Sequence, residues 1–234
     1  MNLVLTIAAL ALVQKIDQQP ATVVPGAACG PPPSDAVVLF DGKDTAQWAY
    51  RDGRAAQWPV VDRALVSKSG TGNLYTKRKF GSAQLHVEFA VPSMPNAHGQ
   101  ARANSGVYLQ GRYEIQILDS FNNPSYANGS AGSLYGQYAP LVNVSRPPRE
   151  WQTYDIVFHA PLCGADRRIA TPGTVTVLYN GVLVQDHVTI RGRTTSSDDT
   201  DPCEDGPLML QDHYHPDVKE TFMQFRNIWI RPLP

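Results

Sequence analysis

Side chains suited to acid–base chemistry concentrate in one short stretch near the middle of the chain, residues 104–119. Glu114, Gln116 and Asp119 follow one another at the spacing i, i+2 and i+5, so two carboxyl groups flank an amide. Carboxyl groups placed in this way can remove and donate protons. The stretch therefore predicts catalytic roles for Glu114 and Asp119, with Gln116 binding substrate. The alternative is a strand that ends in an Asx turn and leaves Glu114 solvated.

Two short strands joined at residues 110–112 must position these groups. In the second strand, residues 113–117, apolar odd-numbered positions alternate with polar even-numbered ones, so one face of the strand is apolar and the other polar. Strict alternation would put Asp119 on the apolar face. We expect a β-bulge around Leu118, because one extra residue would return Asp119 to the side of Glu114.

A second polar group lies near the C-terminus. In a strand, Gln211 and His213 would project from the same face. The reference pKa of a histidine is the closest to neutral, so His213 rivals Glu114 as general base. The alternative is a histidine with a purely structural role at a strand end. Arg226, on the last strand, would hold an oxyanion or form a structural salt bridge.

Residues 120–143 form a long segment without helical or strand periodicity, and such a loop in a compact domain is often functional. Tyr126 and Tyr135 within it present flat apolar rings with a polar tip, which suits stacking on sugars. We interpret both as candidate substrate-binding residues. The alternative is that they fix the loop to the body of the domain.

Composition limits the class of protein. The 234 residues are 42% hydrophobic and carry a formal net charge of -1, with no basic run, so a nucleic-acid partner is not expected. Eighteen glycines and nineteen prolines separate short apolar runs. Roughly eleven or twelve strands and no convincing amphipathic helix predict an all-β sandwich of two antiparallel sheets, a jelly roll.

The N-terminus predicts export. Residues 1–17 contain an apolar run that is too short to span a membrane, where about 20 residues are needed, and resemble a signal peptide. Residues 18–34 are interpreted as a linker and residues 35–234 as one domain. The expected location is periplasmic or secreted, with lipid anchoring at Cys29 as an alternative. In an oxidising compartment Cys163 and Cys203 are expected to form a disulfide, although Cys29 could replace either one.

Several short motifs follow one another over most of the chain. They are Leu39-Phe-Asp-Gly-Lys-Asp44 with Trp48, Asn104-Ser-Gly-Val-Tyr-Leu, Tyr113-Glu-Ile-Gln-Ile-Leu-Asp119, Tyr135-Gly, Trp151-Gln-Thr-Tyr-Asp, Asn180-Gly-Val, Leu210-Gln-Asp-His213 and Phe225-Arg-Asn-Ile228. Together they resemble the 3-keto-disaccharide hydrolase domain family, from about Val37 to Leu233. The resemblance implies a concanavalin A-like jelly roll and an extracytoplasmic bacterial setting. It also implies cleavage of glycosides already oxidised at C3, with a sugar 3-dehydrogenase as the upstream pathway partner.

The chemistry of such a substrate matches the residue types. A ketone at C3 acidifies the C2 proton, so the site needs a base, an oxyanion stabiliser and an acid for the leaving group. We expect Glu114 or His213 to be the base and Asp119 the acid. Asn104, Gln116 and Gln211 would orient hydroxyls and Arg226 would stabilise the enolate. No cofactor is required, although a divalent ion on Glu114, Asp119 and His213 would be an alternative way to stabilise the enolate.

Two other functions remain alternatives. A lectin-like carbohydrate-binding module is compatible with the same fold, because fold alone does not determine function. A glycosidase acting on unoxidised glucan is disfavoured. Retaining glucanases with this fold carry a Glu-x-Asp-x-x-Glu motif. This chain has Gln116 and Asp119 in place of the second and third acids of that motif.

Overall fold

The computed structural model describes Gln19, Ala21–Thr22, residues 31–213 and residues 222–234. The signal peptide predicted at residues 1–17 and Cys29 lie outside the described residues. Within the described part of the chain, no helix is long and apolar enough to span a membrane.

The described residues form seventeen strands and two short 3-10 helices, Gly99–Ala101 and Ala127–Gly129. The strands are β1 Ala21–Thr22, β2 Val37–Phe40, β3 Trp48–Ala49, β4 Val60–Val61, β5 Ala64–Val66, β6 Leu74–Phe80, β7 Ala83–Ala90, β8 Asn104–Leu109, β9 Tyr113–Leu118, β10 Val142–Asn143, β11 Gln152–His159, β12 Leu162–Cys163, β13 Ile169–Thr171, β14 Thr174–Tyr179, β15 Val182–Thr189, β16 Gly206–Leu210 and β17 Gln224–Pro232.

Most strands belong to two antiparallel sheets. The larger sheet has the order β15-β14-β11-β7-β17-β5-β4, and β2 also pairs with β17. The smaller sheet has the order β3-β6-β16-β8-β9. Many neighbours in these orders are far apart in sequence, such as β7 with β17 and β6 with β16, as in a jelly roll. The all-β sandwich predicted from the sequence is confirmed.

The core lies between the two sheets and follows the alternation of the strands. In β9 the odd-numbered residues Tyr113, Ile115 and Ile117 are at most 1% exposed and face the larger sheet. Across the interface, the ring of Tyr113 lies 5.8 Å from that of Phe158 in β11. Tyr154, also in β11, donates a hydrogen bond to the backbone carbonyl of Gln116. These contacts hold the inner face of β9 against the core. Because side chains alternate along a strand, the even-numbered side chains of β9 project from the outer face of the smaller sheet.

Two contacts outside the sheets bear on the sequence predictions. Cys163 and Cys203 form a disulfide with Cα atoms 5.6 Å apart, which is the pairing that the sequence favoured. It fixes β12 to the segment that precedes β16. Within the stretch interpreted as a linker, β1 pairs in parallel with β10.

Candidate active site

The candidate site lies on the outer face of the smaller sheet, on the hairpin formed by β8 and β9. The two strands pair without a break in register from Asn104 opposite Leu118 to Leu109 opposite Tyr113. The turn between them uses Gln110 and Gly111 at positive φ, as tight hairpins require. Glu114 projects outward from this hairpin and is nevertheless only 3% exposed. The alternative of a solvated Glu114 is therefore wrong.

The loop over residues 120–141 buries Glu114. It runs beside β9, the last strand of its sheet, and forms backbone hydrogen bonds that extend the sheet. Ser133 accepts from the Gln116 N–H at 3.0 Å, and the Tyr135 N–H donates to the Glu114 carbonyl at 3.0 Å. The loop thereby holds the side chain of Tyr135 next to the carboxyl group of Glu114.

A polar hollow of about 70 Å³ opens above the hairpin, and we call it the Glu114 hollow. It brings together six residues predicted from the sequence: Asn104, Glu114, Gln116, Tyr135, Gln211 and His213. Three further lining residues were not predicted: Tyr108, Thr195 and Ser196.

The carboxyl group of Glu114 lies in an environment that disfavours its charge. Burial raises its pKa to about 8, although a hydrogen bond from the Tyr108 hydroxyl lowers it in part. Gly106 makes room for this carboxyl group on the neighbouring strand. A Cβ atom at Gly106 would lie 2.4 Å from Glu114 Oε1 and 2.8 Å from the Tyr108 ring. The glycine of the Asn-Ser-Gly motif is therefore needed for close packing, with no positive φ involved.

Amide side chains form a network around Glu114. The two ends of the Gln116 amide lie 3.1 Å from Glu114 Oε1 and 3.1 Å from Gln100 Oε1. Gln100 also accepts a hydrogen bond from Asn104 Nδ2 at 3.2 Å. Gln211 donates to the Tyr108 hydroxyl at 2.9 Å, while its Oε1 has no hydrogen-bond partner among the described residues. Gln100 thus orients two lining residues, and Gln211 keeps an acceptor for a bound hydroxyl.

Asp119 does not join this network, and the predicted β-bulge around Leu118 is wrong. The register of β8 and β9 is continuous, so Asp119 falls on the opposite side of the chain from Glu114. Its carboxyl group is fully buried, and its Oδ2 lies 2.7 Å from Arg102 Nη2. Burial raises the pKa of Asp119, and the nearby Arg102 opposes this effect. Asp119 therefore holds the end of β9 in place.

Arg226 is also far from the Glu114 hollow. It lies on β17, on the outer face of the larger sheet, so the hydrophobic core separates it from Glu114. Its Nε donates to Glu88 Oε2 at 2.6 Å, and its guanidinium group lies 3.9 Å from the centre of the Trp151 ring. The position that the sequence analysis gave Arg226, beside an enolate, is wrong, and the alternative of a structural salt bridge is correct.

Glu88 belongs to a buried charge network on that opposite face. His86 Nδ1 lies 2.7 Å from Asp155 Oδ1, and Asn227 donates to Glu88 Oε1 at 2.8 Å. Burial raises the pKa of Glu88, but hydrogen bonds from His86, Asn227 and Arg226 lower it to about 2. Glu88 and Glu114 are therefore both buried with opposite pKa shifts, one on each outer face.

The rim of the Glu114 hollow carries the remaining predicted residues. Tyr126 is 44% exposed, and its hydroxyl group is hydrogen-bonded to that of Tyr135. His213 lines the hollow three residues after the end of β16. The proposed ion-binding set of Glu114, Asp119 and His213 is not assembled, because Asp119 lies elsewhere. In the described ranges no group of three or more His, Cys, Asp or Glu residues is placed to hold a metal ion.

The three lining residues that the sequence analysis missed gave only weak signals. Tyr108 follows Val107 in an apolar run, and strand parity with Glu114 in the hairpin is what reveals its outward direction. Thr195 and Ser196 lie in a polar, turn-rich segment. The preceding residue, Thr194, accepts a hydrogen bond from the Glu114 N–H at 3.2 Å and brings this segment to the hollow.

Comparisons with known proteins agree with this architecture. Residues 35–231 match the family model for the 3-keto-alpha-glucoside-1,2-lyase-like domain. A solved structure from Parabacteroides distasonis ATCC 8503, described as that of a candidate glycosyl hydrolase, is 41% identical with a TM-score of 0.81, and the match covers 100% of both chains. A second such protein from the same organism is 19% identical with a TM-score of 0.61, over 86% of this chain and 94% of that one.

No curated protein matches the chain. The family match and the first of these structures both extend over nearly the whole described domain, and they agree with the motifs found in the sequence. They support a hydrolase that acts on glycosides. The chain belongs to the 3-keto-alpha-glucoside-1,2-lyase-like domain family.

Proposed function

We propose that this protein cleaves the glycosidic bond of 3-keto-glycosides, including 3-keto-disaccharides, by elimination followed by hydration. The observation that carries the proposal is the carboxyl group of Glu114, buried on the floor of a polar hollow with its pKa raised to about 8. A carboxylate of ordinary pKa is a weak base toward a carbon acid. Raising the pKa toward the working pH makes Glu114 a stronger base while part of it remains ionised.

The proposed reaction begins with transfer of the C2 proton of the oxidised sugar to Glu114. The electron pair of the broken bond forms an enolate with the C3 oxygen. The enolate then collapses, which forms the C1–C2 double bond and breaks the bond between C1 and the leaving oxygen. His213, at the rim, donates a proton to that oxygen. Water then adds to C1 and gives its remaining proton back to His213. Glu114, whose proton has exchanged with solvent in the meantime, protonates C2.

The other lining residues supply binding and charge stabilisation in this scheme. The Oε1 of Gln211, unpartnered among the described residues, would accept a hydrogen bond from a sugar hydroxyl, and the second N–H of the same amide would donate one to the enolate oxygen. Thr195 and Ser196 are further hydroxyl donors to the enolate oxygen. Asn104 and Gln116 orient the ring hydroxyls, and the exposed ring of Tyr126 provides a stacking surface at the rim. The ketone arrives with the substrate, so the elimination consumes no redox cofactor.

The proposal includes a cellular setting. A dehydrogenase that oxidises sugars at C3 must supply the substrate, since the acidity of the C2 proton depends on the ketone. The Cys163–Cys203 disulfide supports a periplasmic or secreted location, because disulfides persist in oxidising compartments.

The test compares a 3-keto-disaccharide with its unoxidised parent. We expect the wild-type protein to release free sugar only from the oxidised substrate, and in D₂O the product should carry deuterium at C2. Glu114→Gln should lower turnover by at least about a hundredfold, the usual scale for general acid–base catalysis. Glu88→Gln is the matched control, because Glu88 is equally buried but lies on the opposite face, and its turnover should stay near that of the wild type.

Three results would contradict the proposal. Near-normal activity of the Glu114→Gln variant would exclude Glu114 as the base. Product without deuterium at C2 would exclude the elimination. Binding of the 3-keto-disaccharide without release of sugar would favour the carbohydrate-binding module.

A further inference from the structure

A second and larger hollow lies beside the Glu114 hollow, on the same face of the smaller sheet. Its volume is about 670 Å³, within the range of sites that enclose a small organic ligand. We call it the large hollow, and its lining includes Ala49, Arg51, Tyr75, Asp198, Glu204 and Pro207.

The strands place the two hollows in line. Tyr75 in β6 is opposite Met209 in β16, Met209 is opposite Tyr108 in β8, and Tyr108 is opposite Glu114 in β9. Residues opposite one another on an antiparallel sheet share a face, so this row connects Tyr75 in the large hollow with Tyr108 and Glu114 in the Glu114 hollow through the buried Met209. Three strand spacings separate Tyr75 from Glu114, about 14 Å. A glycoside with its sugar at Glu114 can extend its leaving group along this row to reach Tyr75.

Residues 195–200 form a wall that the two hollows share. Thr195 and Ser196 line the Glu114 hollow, and a few residues later Asp198 and Thr200 line the large hollow. Asp198 forms an ion pair with Arg51 at 2.7 Å, which connects this wall to the segment after β3. The wall is thus held before any ligand binds, and such preorganisation lowers the entropic cost of binding.

The linings of the two hollows differ in chemistry. The Glu114 hollow is mainly polar, which suits a sugar ring with a hydroxyl on nearly every carbon. The surface of the large hollow is mainly apolar by area, although charged side chains such as Arg51, Lys77 and Asp201 are also part of its lining. A second sugar ring needs hydrogen-bond partners around its whole circumference, whereas an aromatic ring is favoured by an apolar surface.

We propose that the large hollow binds an aromatic leaving group, so that the preferred substrates are 3-keto-glycosides of aryl or arylalkyl alcohols. The inference rests on the proposed function and extends it by naming the substrate class. Tyr75 is the specificity-determining residue, since its half-buried ring forms the part of the floor that such a group covers.

The experiment uses two substrates with leaving groups of similar acidity, ethyl and 2-phenylethyl 3-keto-glucoside. We expect the wild-type kcat/KM to be at least about tenfold higher for the phenylethyl compound, a typical value for burying an added apolar group. Tyr75→Ala should remove this preference and leave turnover of the ethyl compound nearly unchanged. Tyr138→Ala is the matched control, because the Tyr138 ring stacks on Arg191 outside both hollows.

A binding measurement separates this inference from the proposed function. The affinities of both glycosides for the Glu114→Gln variant are compared with and without the Tyr75→Ala change. If the wild-type protein turns over neither compound, but the phenylethyl compound binds more tightly and this preference is lost in Tyr75→Ala, the proposed function fails and the aromatic site stands. If both are turned over with equal kcat/KM, or a 3-keto-disaccharide is preferred to the phenylethyl compound, the aromatic site is refuted.

Discussion

Replacing Glu114 by Gln should stabilise the protein, and the gain should depend on pH. The pKa of Glu114 is about 8 in the folded protein, whereas that of an ordinary glutamate is 4.5. Between these two values the unfolded chain has lost the proton that the folded protein still holds, so folding stability falls as the pH rises. One pKa unit corresponds to about 1.4 kcal/mol, so ionisation of Glu114 costs roughly 5 kcal/mol of stability above pH 8.

Glutamine has nearly the same shape and never carries this charge. At pH 4.5 and below, the Glu114→Gln variant and the wild-type protein should therefore have similar stabilities. At pH 9 the variant should be more stable by most of that 5 kcal/mol, an increase in Tm on the order of 10 °C for a chain of this length. Thermal unfolding followed by circular dichroism at half-unit pH intervals measures the difference directly.

Glu88 provides a control of opposite sign. Its pKa is lowered to about 2, so its ionised form stabilises the folded protein above pH 4.5, and this contribution is lost as the pH falls toward 2. Glu88→Gln should therefore destabilise the protein at neutral pH, with the deficit shrinking in acid. If the difference between Glu114→Gln and wild type is the same at pH 4.5 and pH 9, burial does not disfavour the charged form of Glu114.

Three further predictions concern the site and the scaffold. Gly106→Ala should lower turnover about a hundredfold, because its Cβ would displace the Glu114 carboxyl group; activity equal to wild type would show that the close packing is not needed. The kcat/KM for a 3-keto-disaccharide should keep rising up to about pH 8, the pKa of Glu114; a plateau already reached at pH 6 would exclude Glu114 as the base. Replacing Cys163 and Cys203 by Ser should lower the free energy of unfolding by about 3–4 kcal/mol, because the disulfide closes a loop of 40 residues; denaturant titration checks this, and an unchanged midpoint would contradict it.

The sequence predicted the features that depend on local pattern. Alternation along residues 113–117 correctly oriented Glu114 and Gln116, and parity after β16 correctly placed Gln211 with His213. Both inferences needed only that a strand is extended, since side chains of an extended strand alternate between its faces. The jelly roll followed in the same way from the number of short strands and the scarcity of helical pattern.

The two errors have different causes. Strict alternation along β9 places Asp119 on the inner side, and the expectation beside Glu114 failed because the added β-bulge is absent; there Asp119 pairs with Arg102. Arg226 was expected at the site, but the order of strands in the larger sheet pairs it with Glu88 on the opposite face. That strand order is set by contacts distant in sequence and cannot be read from the pattern around Arg226 alone.

The backbone contacts that hold Tyr135 have a second consequence, for solubility. β9 is the last strand of its sheet, and an uncovered edge strand offers free N–H and C=O groups to another molecule. Residues 132–135 occupy those groups on Glu114 and Gln116 through three backbone hydrogen bonds. The loop that completes the hollow thus also blocks edge-to-edge association. A variant that shortens this loop should therefore self-associate through β9 as well as lose activity.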